Sequence, residues 1–494
     1  MVMSQKKHES QIMAEFIEKW LGNPIIRHAM KFLTKRCHKC GRRAENILES
    51  YAEGTNGMCT ACNLSAFIIK RFLDRIICKA DLKRDHIKEH LKSSIWRKGL
   101  ASVLEGIAEY GPSKPFVAYS PFLIVWNITR ACNLKCKHCY EVAAKPRPDE
   151  LNTEEALNAV DKLADAGLAY IAISGGEPLV RPDLFKIVER IRERGMAFSI
   201  ATNATLLTKE IAKKLKDHDC LFVQVSVDGA TAKTHNWFRG KDAFEKTIKG
   251  IKNVVDEKLS VGISTTVTNH NYKEIPDMLD LAESLNVGTF MHYNFIPTGR
   301  GQDICDLDLS PDQRQKLLEM LAKRTKKTKM RVLSTAPQYS RVCVEQEAAT
   351  MAMTHFDYSN TPEMMNSVKF LAEFIGGCGT GRLYCAMEPN GDIEPCVFIP
   401  IIIGNIKRDN FLDVWHNSPE FKKIRERHKF KGNCGSCEHK NICGGCRARA
   451  YAYFDDLQGP DPGCIKNKEY YEKIRLGVAD PLKVAIPEKV SKRK

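Results

Sequence analysis

The strongest constraint in this sequence is where its cysteines fall. There are 19 in 494 residues, and fifteen of them form three groups: Cys37, Cys40, Cys59 and Cys62; then Cys132, Cys136 and Cys139; then Cys378, Cys385, Cys396, Cys434, Cys437, Cys443, Cys446 and Cys464. A disulfide framework of that density belongs to secreted chains. Here Met1 to Lys7 offers no apolar signal core, and the most apolar stretches, near Phe122–Trp126 and Val397–Ile403, fall well short of the ~18 residues of a membrane span. Metal is the default account of the cysteines, in a cytoplasmic chain. Cys78, Cys220, Cys305 and Cys343 match no spacing and read as reduced thiols.

Composition narrows the reading further. With 43% apolar and 28% charged residues the chain can bury ordinary cores, and its length suggests several domains. Of the net charge of +16, residues 1–118 supply +9. That segment reads as a basic helical module. Its amphipathic stretches are Ile12–Thr34, Ser65–Cys78 and His86–Tyr110, and a Gly-Pro-Ser-Lys-Pro linker at Gly111 closes it.

From Phe122 short apolar runs alternate with amphipathic helical patterns. Expected strands are Phe122–Ile128, Tyr170–Ser174, Ala197–Thr202, Phe222–Val227, Val261–Val267 and Thr289–Phe295. Helices are expected at Thr153–Ala166, Pro182–Arg194, Thr208–Lys216, Asp242–Asp256 and Tyr272–Leu285. Six strands alternating with five helices predict an α/β fold, a parallel sheet or partial barrel over residues 119–305, with functional groups at the C-terminal strand ends. Residues 306–375 read as a mostly helical bridge with one strand near Met330–Leu333. Residues 376–470 are rich in Gly, Cys and turns and need metal to fold. Residues 471–494 are a basic tail.

Cys132-x3-Cys136-x2-Cys139 follows the first strand in a strand-to-helix loop. Three thiolates leave one iron of a cubane cluster open, because such clusters normally take four. With the strand-end sequences Ser174-Gly175-Gly176-Glu177-Pro178, Thr202-Asn203-Ala204-Thr205 and Ser226-Val227-Asp228-Gly229, followed by His235 and Arg239-Gly240, the loop resembles the radical S-adenosylmethionine (radical SAM) superfamily. The resemblance implies a partial (β/α)6 TIM-type barrel and a 4Fe-4S cluster on Cys132, Cys136 and Cys139. It also implies S-adenosylmethionine as a cofactor cleaved to a 5′-deoxyadenosyl radical that abstracts hydrogen. By the same resemblance, Gly175, Gly176 and Glu177 receive the methionine ammonium, Thr202, Asn203, Ser226 and Asp228 hold its carboxylate and the ribose, Arg239 pairs with a carboxylate, and Tyr140 lies near adenine. Ala204 departs from the glycine of many relatives.

The C-terminal cysteines resemble the SPASM extension of radical enzymes, with four residues between Gly391 and Cys396 and an Asp-Pro-Gly-Cys ending at Cys464. That implies one or two auxiliary iron–sulfur clusters, one on Cys378, Cys385, Cys396 and Cys446 and the other on Cys434, Cys437, Cys443 and Cys464. Cys443 and Cys446 are separated by two residues where three are usual, and without the resemblance the paired C-x2-C units would equally suit zinc. Oxygen-sensitive clusters imply an anaerobic setting and a low-potential donor such as ferredoxin or flavodoxin.

Cys37-x2-Cys40-x18-Cys59-x2-Cys62 has the spacing of a zinc ribbon, for which structural zinc is the first reading. Its basic, aromatic-poor surroundings argue against nucleic acid and suit either solvated helices or a peripheral position on an anionic membrane. The amphipathic module favours an isoprenoid or membrane lipid as substrate. A haem precursor, or a peptide or protein, is the alternative; Gly444-Gly445-Cys446-Arg447-Ala448-Arg449-Ala450 and the Asp-Pro-Gly-Cys ending resemble the haem-precursor and archaeal isoprenoid-lipid branches more than the peptide maturases. No winged helix of the kind that binds peptide leaders is legible near the N-terminus. Thr298-Gly299-Arg300-Gly301 reads either as an anion-binding loop or as a turn. A non-enzymatic zinc-binding or nucleic-acid-binding scaffold is the contrasting reading.

Overall fold

The computed structural model describes Lys19 and residues 22–54, 57–79, 83–348 and 372–477. Trp20, Leu21, residues 349–371 of the expected bridge and the basic tail from 478 onward lie outside the described residues.

The N-terminal module is helical: α1 (Pro24–Thr34), α2 (Arg43–Glu53), α3 (Thr60–Lys79), α4 (Arg84–Leu91) and α5 (Ser94–Tyr110). Asn23 starts α1 by accepting the Ile25 amide on its side chain, and proline occupies the first helical position where no donor is needed. The module has its own core, built on Ile47, Leu48, Ile69, Leu73 and Leu104. The helix expected over His86–Tyr110 is two. Ser93 is extended between them, and Arg97 donates to the Leu91 and Lys92 carbonyls that the break frees.

The next elements are β1 (Leu123–Asn127), α6 (Thr153–Asp165), β2 (Tyr170–Ser174), α7 (Leu184–Glu193), β3 (Ala197–Thr202), α8 (Lys209–Asp217), β4 (Phe222–Ser226), α9 (Ala232–Arg239), α10 (Ala243–Asp256), β5 (Val261–Val267), α11 (Ile275–Ser284) and β6 (Thr289–Asn294). Strands β1 to β6 are parallel and pair in chain order, as βαβ units joined by right-handed crossovers do. Period-2 alternation decides their faces. In β2, Ile171 and Ile173 pack into the main core with Val160, Leu163, Ile187 and Ile191 of the covering helices, while Tyr170, Ala172 and Ser174 face the lumen. Each such buried aliphatic side chain is worth about 1.5–3 kcal/mol of burial. Helix α6 starts on a reciprocal cap, with the Asn152 side chain accepting from the Glu155 amide and Glu155 accepting from the Asn152 amide.

The sheet does not stop at residue 305. After α12 (Pro311–Arg324), β7 (Arg331–Ser334) pairs in parallel with β6, so the segment read as a bridge carries a barrel strand; α13 (Gln338–Glu345) follows. On the opposite edge β8 (Tyr384–Met387) pairs in parallel with β1, and β9 (Asp392–Glu394) and β10 (Gly404–Asn405) continue antiparallel. The result is one ten-stranded sheet in the order β10-β9-β8-β1-β2-β3-β4-β5-β6-β7. A buried ionic network ties the cysteine-rich C-terminal region to the barrel. Arg449, on α14 (Arg447–Phe454), reaches Asp308 at 2.7 Å and Asp461 at 3.3 Å, and Asp308 also accepts from Arg314 at 2.7 Å.

Candidate active site

The Cys132–Cys139 loop crosses the C-terminal mouth of the barrel, and two glycines let it sit there. A Cβ at Gly176 would stand 2.2 Å from the Ala131 carbonyl oxygen, and one at Gly175, whose φ is +130°, 2.5 Å from that of Thr129. Backbone amides of Gly176 and Glu177 donate to those same carbonyls at 2.7 and 2.8 Å. The end of β2 is thereby fastened to the base of the cysteine loop. Asn133 links the loop to the end of β3 through Thr205 (2.8 Å) and Asn203 (2.9 Å).

Gly299 and Arg300 brace the loop from the other side. Arg300 donates from Nε to the Cys136 carbonyl at 2.8 Å and from Nη1 to that of Ala143 at 3.0 Å, and its amide donates to the Cys139 carbonyl at 2.9 Å. Thr298–Gly301 is therefore a structural clamp in its main contacts. Asn133 and His138 are absent from the expected site residues, and Arg300 is expected only as part of an anion-binding loop or a turn. Their roles are long-range, joining the loop to elements far away in sequence, and only the tertiary fold displays them.

A cavity of about 770 Å³ fills the lumen beneath the loop. Cys132, Cys136, Cys139, Tyr140, Gly175, Gly176, Thr202, Asn203, Ser226 and Arg239, all expected at the site, line it together. Glu177 and Asp228 do not: both are completely buried behind the wall. Glu177 accepts from Thr202 Oγ1 (2.7 Å), the Asn203 amide (2.8 Å) and the Leu179 amide (3.2 Å), so it fixes the strand ends that carry the wall. Asp228 accepts from Arg239 Nε (2.6 Å) and the Thr266 amide (2.8 Å). Burial pushes the Asp228 carboxyl upward, but Arg239 and His138 outweigh it and hold the group below its ordinary range. Tyr140 donates to Asn127 Oδ1 at 3.1 Å and stacks edge-on to Phe398.

In the C-terminal region the expected cysteine sets are only partly brought together. Cys434, Cys437, Cys443 and Cys464 line one small cavity. Donors surround their sulfurs: Asn467 Nδ2 (3.3 Å) and the Asp461 amide (3.5 Å) approach Cys434 Sγ, and the Gly445 amide approaches Cys443 Sγ at 3.3 Å. Cys396 and Cys446 share a cluster with Tyr384, whose hydroxyl donates to Cys396 Sγ at 3.0 Å. Cys385, expected with them, follows Tyr384 on β8 and so points to the opposite face, into the main core with Met387 and Trp415. Strand alternation separates it from the other three.

A model of the Radical SAM superfamily matches residues 126–282, and one of SPASM, an iron–sulfur cluster-binding domain, matches residues 378–438. The AdoMet-dependent heme synthase of Methanosarcina barkeri is 36% identical over 349 residues, which is 70% of this chain and 97% of that protein. The chain belongs to the radical SAM superfamily. This radical SAM protein is also 31% identical to the mycofactocin maturase MftC of Mycobacterium tuberculosis over 354 residues, 70% of this chain and 83% of that one. In fold it is similar to the Streptococcus suis SuiB structure bound to precursor peptide SuiA, with a TM-score of 0.61, 17% identity and coverage of 85% of this chain and 92% of that chain. It is an enzyme, which sets aside the scaffold reading.

Membership brings a 4Fe-4S cluster and S-adenosylmethionine, and the SPASM domain brings auxiliary iron–sulfur clusters. The residues present fit these groups. Three thiols face the cavity, and the imidazole within the loop, His138, turns its Nε2 to Asp228 and Arg239, 3.4 Å from each. Burial raises the Cys132 and Cys136 thiols, Cys136 to about 11, and Arg239 opposes the rise; bound iron ionises such thiols outright.

Proposed function

We propose that this enzyme modifies a side chain of a haem precursor, a flat macrocycle bearing carboxylates, within the barrel lumen. The observation that carries the reading is the similarity to the M. barkeri heme synthase across nearly all of that protein's length. The lumen supports it: a cavity of about 770 Å³ with Tyr140, Tyr293, Phe295 and Phe398 on its walls and Arg300 and Arg331 among its cations suits an aromatic, anionic ligand. The relatives favour this alternative over the isoprenoid or membrane lipid expected from the amphipathic module.

When bound at Cys132, Cys136 and Cys139, the cluster and S-adenosylmethionine supply abstraction of a hydrogen atom from an unactivated C–H bond. The chain's own residues orient and shield. Gly175 and Gly176 offer backbone at close approach, with Thr202, Asn203 and Ser226 beside them. Arg239 stands at the wall as a cation already anchored by Asp228, and Tyr140 and Phe398 exclude water from the reacting edge. Cys434, Cys437, Cys443 and Cys464 are the ligand set for one auxiliary cluster, and Cys378, Cys396 and Cys446 supply the other.

Anaerobic turnover of the reconstituted protein with a propionate-bearing iron porphyrin and a low-potential donor such as ferredoxin or flavodoxin tests the reading. Formation of 5′-deoxyadenosine together with mass loss from the porphyrin is expected. Cofactor cleavage that no porphyrin stimulates, but a peptide does, would transfer the assignment to peptide modification.

Among the described residues no helix is long and apolar enough to cross a membrane. A peripheral lipid contact is supported by Ile25, Phe32, Leu64, Phe67 and Ile68, all exposed on α1 and α3, with Arg71 lying over the Phe67 ring. Phe72, on the same helix, packs partly against the module core. Co-sedimentation with anionic vesicles, weakened by Phe67→Glu, is the corresponding check.

A further inference from the structure

The four N-terminal cysteines stand apart from the reaction chamber and form a site of a different kind. Their sulfurs all lie within 4.8 Å of one another, and Cys37 Sγ and Cys59 Sγ are 3.6 Å apart. Among the described residues, no other group of three or more Cys, His, Asp or Glu ligand atoms is drawn so close. A tetrahedral zinc thiolate with bonds of ~2.3 Å sets its sulfurs about 3.8 Å apart. A cubane holds each thiolate outside its own iron and spreads the sulfurs much farther. The spacing therefore selects one metal ion, not a cluster.

The local backbone is built around that ion. Cys37 and Gly41 exchange both backbone hydrogen bonds at 2.8 Å, folding Cys37–Cys40 into a knuckle, and Gly41 turns it at φ +75° with open space where a Cβ would stand. Cys59 precedes α3 and Cys62 lies in its first turn, where the helix dipole favours thiolates. The Cys59 amide donates to Cys40 Sγ at 3.3 Å, joining the two halves. Four sulfur ligands close the coordination shell, as in structural zinc sites.

The knuckle is also the point where the module grips the barrel. Arg36 donates to the Asp165 carbonyl, and Arg42 to that of Gly167 at 2.9 Å, in the turn that feeds the N-terminal end of β2. Gly167, at φ +89°, leaves room for the guanidinium: a Cβ there would meet Arg42 Nη1 at 2.5 Å. The same guanidinium forms a buried ion pair with Glu105 of α5 at 2.7 Å. At its other end α5 is pinned beneath β3, with Ser94 Oγ donating to the Gly195 carbonyl (3.1 Å) and Lys98 Nζ to that of Arg194 (2.9 Å). Between these anchors Ile95 and Trp96 line the lumen cavity beside Phe122 and Tyr170, at the end opposite the Cys132–Cys139 loop.

We propose that Cys37, Cys40, Cys59 and Cys62 bind a single structural zinc ion, and that this zinc knuckle fastens α5 across the N-terminal end of the barrel so that Ile95 and Trp96 form the floor of the reaction chamber. The floor role rests on reading the lumen as the substrate chamber; the zinc assignment does not.

Metal analysis and zinc-edge X-ray absorption of the full-length protein, purified without oxygen, test the ion directly. One zinc per chain is expected, in a shell of four sulfurs, and Cys40→Ser and Cys62→Ser are expected to lose at least nine-tenths of it while retaining their iron. A wild-type protein without zinc, or variants that lose iron in step with the cysteine, would overturn the assignment. If the variants fail to fold, the wild-type absorption spectrum alone decides. Hydrogen exchange tests the floor: in Cys40→Ser the amides of Ile95–Leu100 should exchange at least tenfold faster, with those of β4 and β5 unchanged. Equal exchange at Ile95–Leu100 would refute the fastening role. Neither readout involves substrate, so failure of the haem-precursor reading would leave both results interpretable.

Discussion

Arg239 and Asp228 form a buried ion pair directly behind the cysteine loop, with Nε 2.6 Å from the carboxylate and the same guanidinium 3.9 Å from Cys136 Sγ. Asp228 is completely buried, so its charge depends on this partner. Arg239→Met should cost about 3–5 kcal/mol of stability, because it strands a buried carboxylate. The double variant Arg239→Met/Asp228→Asn should recover much of that loss. Denaturant unfolding of the oxygen-free protein measures both, and a single variant costing under about 1 kcal/mol would show that the pair is not structurally coupled.

Cys385→Ala should leave iron content unchanged, whereas Cys396→Ala should lower it. The reason is the alternation of β8, which sends Cys385 into the aliphatic core while Tyr384 faces Cys396. Iron quantification with Mössbauer spectroscopy of each variant is the check. Loss of iron from Cys385→Ala equal to that from Cys396→Ala would mean the strand face is misread.

Ala204→Gly should stabilise the protein by roughly 0.5 kcal/mol, since left-handed backbone costs alanine about 1–2 kcal/mol and glycine regains part of that as chain entropy when unfolded. Ala204 is buried at φ +59°, and its carbonyl lies so close to Gly250 that a Cβ there would stand 2.3 Å away. Thermal unfolding of the variant should show a higher midpoint. A lower one would mean that the methyl group's packing outweighs the strain.

His292 supplies a pH test. It is fully buried, with Nδ1 2.8 Å from Ser334 Oγ, and burial pushes it down to about 3. Its unfolded value is near 6.5, so as pH falls below about 6.5 the unfolded chain takes up a proton that the folded chain refuses. This group alone should then remove stability at up to ~1.4 kcal/mol per pH unit, until about pH 3. His292→Gln should make stability fall less steeply between pH 7 and 5. An identical slope would show that the imidazole is protonated in the fold.

Strands β1 to β6 are legible because each sets apolar or aromatic residues within five to seven positions between turn signals, and their observed bounds lie within a residue or two of expectation. Helix α2 is not legible, since its buried Ile47, Leu48 and Tyr51 are set among Arg, Glu and Asn in a span of only 11 residues. The cysteine triad and the strand-end motifs stood out because their chemistry is local in sequence. Partnership at a distance is not written in any local motif: Arg300 reaches 164 residues back to the Cys136 carbonyl, and Glu177 turns to Thr202 and Asn203 and away from the cavity. The position of Cys385 in the main core has a related cause. Spacing counts ligands but does not say which face of a strand they occupy.

Because β8 continues the ladder of β1 in parallel register, the two iron–sulfur halves of the molecule are woven into one fabric and not merely docked. Removing the C-terminal half would bare the β8-facing edge of the very strand that leads into the cysteine triad, from Leu123 to Trp126, an invitation to stick to any other exposed strand. A truncated barrel should therefore precipitate, and the separation between its iron centres is set by hydrogen-bond register instead of by a hinge.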